Sequence, residues 1–330
     1  MPFRDILGQE HALLLLQKAL VSTRIGHAYL FYGPRGVGKR LTAWQFAKAL
    51  VCRAASPEAC DTCISCHKIT TGNHPDVVSI SPEGASIRIE HIRAIQRQLS
   101  YKPYESQRTI MIIDGCESLT PPAANALLKT LEEPPASALL LLLTSKKDAL
   151  PLTIISRCQL IPFRPLAASH ISALLMQQGM DQTTAAIAAT LAEGRLDTWT
   201  QTDVSQALAR RQSAYTLLQE QGPTIQTPLF LLARQYAGSR EQCEEVLHWL
   251  SLFCRDLVLL KVAPSLPLYN HDLRAELAAL AHSLSVDRLL ELCNLLEQLR
   301  HYLTMNVNPQ LTFERLVIQL QQLLGTPRAA

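Results

Sequence analysis

Three glycines within six residues, Gly33, Gly36 and Gly38, stand between an apolar run, Ala28 to Tyr32, and a helical stretch that opens at Lys39. That order of strand, glycine-rich turn and helix constrains the fold more than any other stretch, because it calls for an open sheet whose strand ends meet helix N-termini. The segment Gly33-Pro34-Arg35-Gly36-Val37-Gly38-Lys39-Arg40 has the spacing of a phosphate-binding loop through its lysine. Its backbone N–H groups and the start of the following apolar helix (Leu41, Trp44, Phe46, Leu50) would face phosphate, with Lys39 as the point charge. Arg40 departs from the pattern. It stands where a Ser or Thr hydroxyl would ligate Mg²⁺, and a guanidinium has donors only. The alternative reading is a glycine turn that holds no ligand.

The first 165 or so residues alternate short apolar runs with helical stretches, as a largely parallel sheet flanked by helices does. Strands are expected at Ala28 to Tyr32, Val77 to Ile80, Ile110 to Ile113 and Leu139 to Thr144. Ile89, Ile92, Ile95 and Leu99 mark one face of a helix. Beyond Pro165 the pattern becomes helical throughout, with apolar stripes at Leu247, Leu250, Cys254, Leu257 and Lys261, at Leu289 through Leu303, and at Phe313, Leu316, Leu320 and Leu323. Gly222-Pro223 and Pro264 to Pro267 read as helix breaks.

The third expected strand ends in Asp114-Gly115-Cys116-Glu117, where a nucleotide-hydrolysing fold carries an Asp-Glu pair. Asp114 is placed to hold a metal-bound water. Gly115 occupies the position of the carboxylate that would polarise the attacking water, and Glu117, two residues on, is expected to point elsewhere. With a hydroxyl and a base both missing, a dead or sluggish hydrolytic centre is expected, and ATP and Mg²⁺ are doubtful ligands.

Cys52, Cys60, Cys63 and Cys66 form a Cys-x₇-Cys-x₂-Cys-x₂-Cys cluster directly after the phosphate-loop helix. Four thiolates at this spacing suit a closed, structural tetrahedral Zn²⁺ site, against a set of free thiols, and His67 offers a substitute ligand. Cys116, Cys158, Cys243, Cys254 and Cys293 lie singly in apolar sequence and read as packing residues. A net charge of +3 argues against a dominant basic field for nucleic acid. The start of the chain lacks the features of a secretory signal, and no apolar run reaches the ~20 residues of a membrane span, so a cytoplasmic protein is expected.

Together the Gly33 to Arg40 loop, the four-cysteine insertion, the segment Ala124 to Pro135 (ANALLKTLEEPP) and Ser156-Arg157-Cys158 resemble the bacterial DNA polymerase III clamp-loader subunits of the AAA+ class. Thr144-Ser145 matches the family's first sensor, and Asn306-Val307-Asn308-Pro309 looks like the entry to its closing helix. The family includes hydrolysing motor subunits and a subunit with degenerate catalytic motifs; Arg40, Gly115 and Asp197, where the second sensor would place an arginine, favour the latter. The resemblance implies an α/β AAA+ P-loop domain over 1–165 with a zinc-binding insertion at 52–66, a helical lid over 166–207 and an all-helical collar over 208–330. It further implies a vestigial nucleotide site of Gly33, Gly36, Gly38, Lys39, Asp114 and Thr144, and Arg157 acting in trans as an arginine finger on a neighbouring subunit. Tau/gamma and delta subunits in a hetero-oligomeric ring, the sliding clamp and primer-template DNA are the implied partners, with Arg88, Arg93 and Arg97 facing the DNA backbone or simply solvent. A true motor ATPase and a zinc-dependent adaptor are the competing readings. A polymerase site is not expected, since two-metal transfer needs clustered carboxylates and only Asp114 is present; polymerase activity would belong to the assembly.

Overall fold

Strands buried on both faces need continuous apolar sequence, and the apolar runs pair accordingly. In the computed structural model, β1 (Ala28–Tyr32), β2 (Val77–Ile80), β3 (Thr109–Ile113), β4 (Ala138–Thr144) and β5 (Gln159–Pro162) form one sheet in the order β2-β3-β4-β1-β5. Every pairing is parallel. The structure describes residues 3, 6–54, 58–82, 84, 86–196, 201–219, 236, 238–305 and 307–324. The first four strands lie where the sequence places them. β5 was not expected: it is a four-residue edge strand whose Gln159 and Leu160 are exposed, so it lacks the apolar continuity of the central strands.

All residues of β3 and β4 are buried, and alternation along them divides the core in two. Ile110, Ile112, Leu139, Leu141 and Leu143 pack with Phe31, Phe46 and Leu16 on one side. Met111, Ile113, Leu140 and Leu142 pack with Ile92, Ile95 and Leu127 on the other. The covering helices are α1 (Glu10–Ser22), α2 (Lys39–Val51), α3 (Ile64–Thr70), α4 (Ile89–Leu99), α5 (Pro121–Glu132) and α6 (Leu152–Ile155). On α2 burial runs further round the helix than the apolar residues predict: Thr42, Ala43 and Gln45 are buried with Phe46, while Leu41 is exposed.

Register fixes where function can sit. Tyr32 pairs with Thr144 and Ile113 with Leu142, so the exits of β1, β3 and β4 lie side by side. The crevice at the carboxyl ends of parallel strands is the usual ligand position in such sheets.

The chain divides into two compact units, 1–171 with 192–198, and 172–191 with 199–330. In the second, α8 (Gln182–Leu191), α9 (Gln201–Gln219), α10 (Arg240–Val262), α11 (Arg274–Ser283), α12 (Val286–Thr304) and α13 (Pro309–Leu324) contribute to a helical core; α7 (Ala168–Gln177) spans the division. Leu247, Leu250, Cys254 and Leu257 of α10 meet Leu289, Leu292, Leu296 and Leu299 of α12 and Phe313, Leu316 and Leu320 of α13 there. Lys261, at the end of the α10 stripe, is exposed. A buried polar network crosses this unit: Arg211 holds Asp272 through both terminal nitrogens, at 2.9 and 2.6 Å, and Asn270 through Nε at 2.8 Å. Asn270 in turn donates to the fully buried Asp256.

In the first unit Asp76, before β2, is 4% exposed. It accepts from the backbone N–H groups of Tyr104, Glu105 and Ser106 at 2.6, 2.7 and 2.8 Å, and from the Ser106 hydroxyl at 2.9 Å. Burial pushes its carboxyl up, but these hydrogen bonds outweigh burial and hold it below the usual carboxylate range. A depressed folded pKa gives stability that is complete above the unfolded value of ~3.9 and is lost as pH falls through the folded value. Asp76→Ala is therefore expected to cost about 3 kcal/mol in denaturant titrations at neutral pH, with the penalty shrinking as pH falls below about 4.

Candidate nucleotide site and metal centre

The phosphate loop leaves β1 and enters α2 through three glycines at positive φ, +149° for Gly33, +72° for Gly36 and +94° for Gly38. A Cβ on Gly33 would lie 2.2 Å from the carbonyl oxygen of Phe163, just beyond β5. Gly38 is the N-cap of α2, and Thr42 closes the first turn by donating its amide and hydroxyl to Gly38 O. The Lys39 ammonium folds back over the loop, donating to Gly33 O at 2.6 Å and to Pro34 O. Gln9, missed in the sequence, ties this loop down. It is buried at 3% exposure, donates to Val37 O and Arg164 O, and accepts from the Arg164 amide. Its partners lie 28 and 155 residues along the chain, so nothing local in the sequence marks it. Leu196 adds a further link, its N–H donating to Gly36 O at 2.9 Å.

Arg40 and Asp114, distant in sequence, come together at this edge, with Arg40 Nε 3.9 Å from Asp114 Oδ2. The position does not suit Mg²⁺: the hydroxyl ligand is missing, and an always-charged guanidinium stands beside the remaining carboxylate. Gly115 leaves β3 in a left-handed turn with φ +73°. The short 3₁₀ turn Cys116–Ser118 then carries Glu117 to the end of β4, where its carboxylate accepts from the Thr144 hydroxyl at 2.9 Å, the Ser145 amide at 3.2 Å and the Ser145 hydroxyl. Burial raises the Glu117 carboxyl, but hydrogen bonds from Ser145 and Thr144 prevail and hold it below the usual carboxylate range. The structure thus brings Gly33, Lys39, Arg40, Asp114 and Thr144 to one edge of the sheet and engages Glu117 with Thr144 and Ser145.

Arg157 follows α6 near the C-terminal end of α5. Its Nη2 lies 2.7 Å from Glu132 Oε1, and its Nη1 donates to Thr153 O at 3.0 Å. Both charged side chains face solvent, at 36% and 50% exposure for Arg157 and Glu132. Arg88, at the N-cap of α4, is also exposed, as are Arg93 and Arg97 on the side of α4 away from buried Ile92, Ile95 and Leu99. Asp197, Gly222-Pro223 and Asn306 lie outside the described residues.

The four clustered cysteines converge between α2 and α3. One sulfur from each of Cys52, Cys60, Cys63 and Cys66 lies within 4.8 Å of the others, and His67 is not in the group. Ligands ~2.3 Å from a tetrahedral zinc stand roughly 3.8 Å apart, so the set needs only slight closure. Backbone N–H groups support the sulfurs: Cys60 N donates to Cys52 Sγ at 3.4 Å, Cys63 N to Cys60 Sγ at 3.4 Å and Cys66 N to Cys63 Sγ at 3.5 Å. Lys48 of α2 pairs with Asp61 at 2.8 Å and moors the insertion to the phosphate-loop helix. The donor set therefore fits a metal, held by four sulfurs with no position left for a substrate.

Among the described residues, no helix is long and apolar enough to cross a membrane. Comparison with known proteins bears on both units. A family model described as DNA polymerase III, delta subunit, matches residues 8–167, and one described as DNA polymerase III, delta subunit, C terminal, matches residues 205–322. The chain is 39% identical over 170 residues to the DNA polymerase III subunit delta′ of Bacillus subtilis, covering 52% of each chain. It is 42% identical over 170 residues to the tau subunit of the same organism, covering 51% of this chain and 30% of that one. It is 39% identical over 171 residues to the tau/gamma subunit of Haemophilus influenzae, covering 52% and 25%. The matched segment spans about half the length of these relatives or less. With one family model on the sheet domain and its C-terminal counterpart on the helical half, the chain belongs to the DNA polymerase III delta-subunit family.

Proposed function

We propose that this chain is a non-hydrolysing, delta′-type subunit of a clamp loader, working in a ring with tau/gamma and delta subunits to place a sliding clamp on primer-template DNA. The observation that carries the reading is the pairing of Arg40 with Asp114 beside Gly115, in a loop that otherwise keeps the phosphate-binding pattern. Hydrolysis of a nucleotide needs a hydroxyl and carboxylate to hold the metal and a base to orient water, and two of those three are missing. What the chain offers instead is Arg157, solvent-facing and held by a surface ion pair and a hydrogen bond to Thr153 O, as a charge for the γ-phosphate on a neighbouring motor subunit. Within this reading residues 166–207 act as a lid and 208–330 as the collar. Cys52, Cys60, Cys63 and Cys66 hold Zn²⁺, which supplies rigidity to the insertion and takes no part in chemistry.

A second reading, a tau/gamma-type motor, is favoured by the 42% identity to the tau subunit over the same half of the chain. ATP turnover separates the two. The isolated chain is expected to show none above background, while its addition to tau/gamma and delta subunits restores clamp-dependent turnover and clamp loading. Turnover by the isolated chain that disappears in Lys39→Ala would establish the motor reading instead.

A further inference from the structure

Two cysteines that lie singly in the sequence meet inside the helical unit. Cys254 of α10 and Cys293 of α12 are 39 residues apart, yet their Sγ atoms stand 2.8 Å from each other. Both are free thiols. A disulfide sets its sulfurs ~2.05 Å apart, so bonding requires less than about 1 Å of approach. The helices that carry them share a core, with Leu250 and Leu257 beside Cys254 and Leu289 and Leu296 beside Cys293, which keeps the two sulfurs in register.

The two thiols differ in access. Cys254 is buried and Cys293 half-buried, and both border an open cavity of about 630 Å³ lined also by Arg255, Glu297, Arg300 and His301. The hydrogen bond with Cys254 draws the Cys293 thiol down to about 7, against the opposing effect of burial. The same shared proton, together with burial, holds the Cys254 thiol far up. An accessible sulfur with thiolate character beside a buried partner is the arrangement of an attacking and a resolving cysteine.

We infer that Cys254 and Cys293 form a peroxide-sensitive dithiol site that closes to a disulfide joining α10 to α12. In the first step the Cys293 thiolate attacks hydrogen peroxide; an S–O bond forms, the O–O bond breaks, and the departing hydroxide takes a proton to become water. The sulfur is oxidised to a sulfenic acid as the peroxide is reduced. In the second, the Cys254 sulfur attacks that sulfur; the S–S bond forms, the S–O bond breaks, and hydroxide leaves with the Cys254 proton as a second water. An external dithiol returns the pair to thiols by exchange.

The test uses the full chain, reduced and kept with zinc, then treated with hydrogen peroxide, alkylated and digested without reduction. A peptide linking Cys254 to Cys293 is expected, lost on dithiothreitol treatment, and the oxidised chain should melt about 4 °C or more higher because the cross-link constrains the unfolded chain. In Cys254→Ser, Cys293 should stop at the sulfenic acid and be trapped by dimedone. In Cys293→Ser, Cys254 should stay reduced at the same dose. Full alkylation of both cysteines after a dose that oxidises other thiols of the chain would overturn the proposal, as would equal oxidation of Cys254 in the Cys293→Ser variant.

Discussion

Cys63→Ser is expected to release the metal and melt the insertion between α2 and α3, leaving the sheet beneath it folded. The reason is the size of the local core. Among the described residues its small apolar cluster consists of Cys52, Ala59 and Cys66, with Cys60 and Cys63 packed against them, so the insertion's own apolar contacts are too few to order it. Structural zinc contributes roughly 10 kcal/mol or more in small metal-dependent folds, which exceeds anything the Lys48–Asp61 pair supplies. Ile69 of α3, buried in the sheet-domain core, anchors the far side of the insertion, so melting should stop near the start of α3. Metal analysis should find one zinc per wild-type chain and none in the variant. Hydrogen exchange should rise sharply in peptides covering 52–66 and little in β3 or β4. Wild-type protein free of zinc, with the insertion equally protected, would count against the metal site.

The second large effect lies in the neighbour's chemistry. Arg157→Ala should leave folding, zinc content and ring assembly unchanged while lowering turnover at the site it faces by about 10³-fold, the scale of an arginine finger. Total ATPase of the ring should fall less, because sites served by other arginines continue. The Glu132 pair does not oppose this role: an exposed ion pair is worth at most about 1 kcal/mol, so the guanidinium leaves it readily when a γ-phosphate is offered. Arg157→Lys should not rescue, since an ammonium lacks the planar fork that meets two phosphate oxygens. Normal turnover and loading rates in a fully assembled Arg157→Ala ring would reduce the subunit to a scaffold.

Much of the sheet domain was legible because its physics is local. Four strands announce themselves as buried apolar runs, α4 by its Ile and Leu spacing, and the convergence of four thiols by cysteines close together in sequence. What escaped depends on partners far apart. β5 is too short and too exposed to show a period, and its place beside β1 is a matter of topology. Nothing in the sequence near Arg40 points to Asp114, nor near Glu117 to Thr144 and Ser145, since each pairing is made by strand order. The Arg211, Asn270, Asp272 and Asp256 network and the Cys254–Cys293 contact were hidden for the same reason: helical periodicity says which face is buried, not which residue lies opposite.

Gly33 has a consequence for how such a loop is read. Any side chain at that position would collide with the backbone of Phe163, so the first glycine of the loop is demanded by how β1 and β5 exit the sheet, whether or not a nucleotide ever visits. Gly33 is therefore kept by the architecture of the sheet, and its presence carries no information about whether a nucleotide binds. A test of nucleotide binding has to look at positions the fold leaves open, Arg40 and Asp114 among them, whose side chains the strand exits do not dictate.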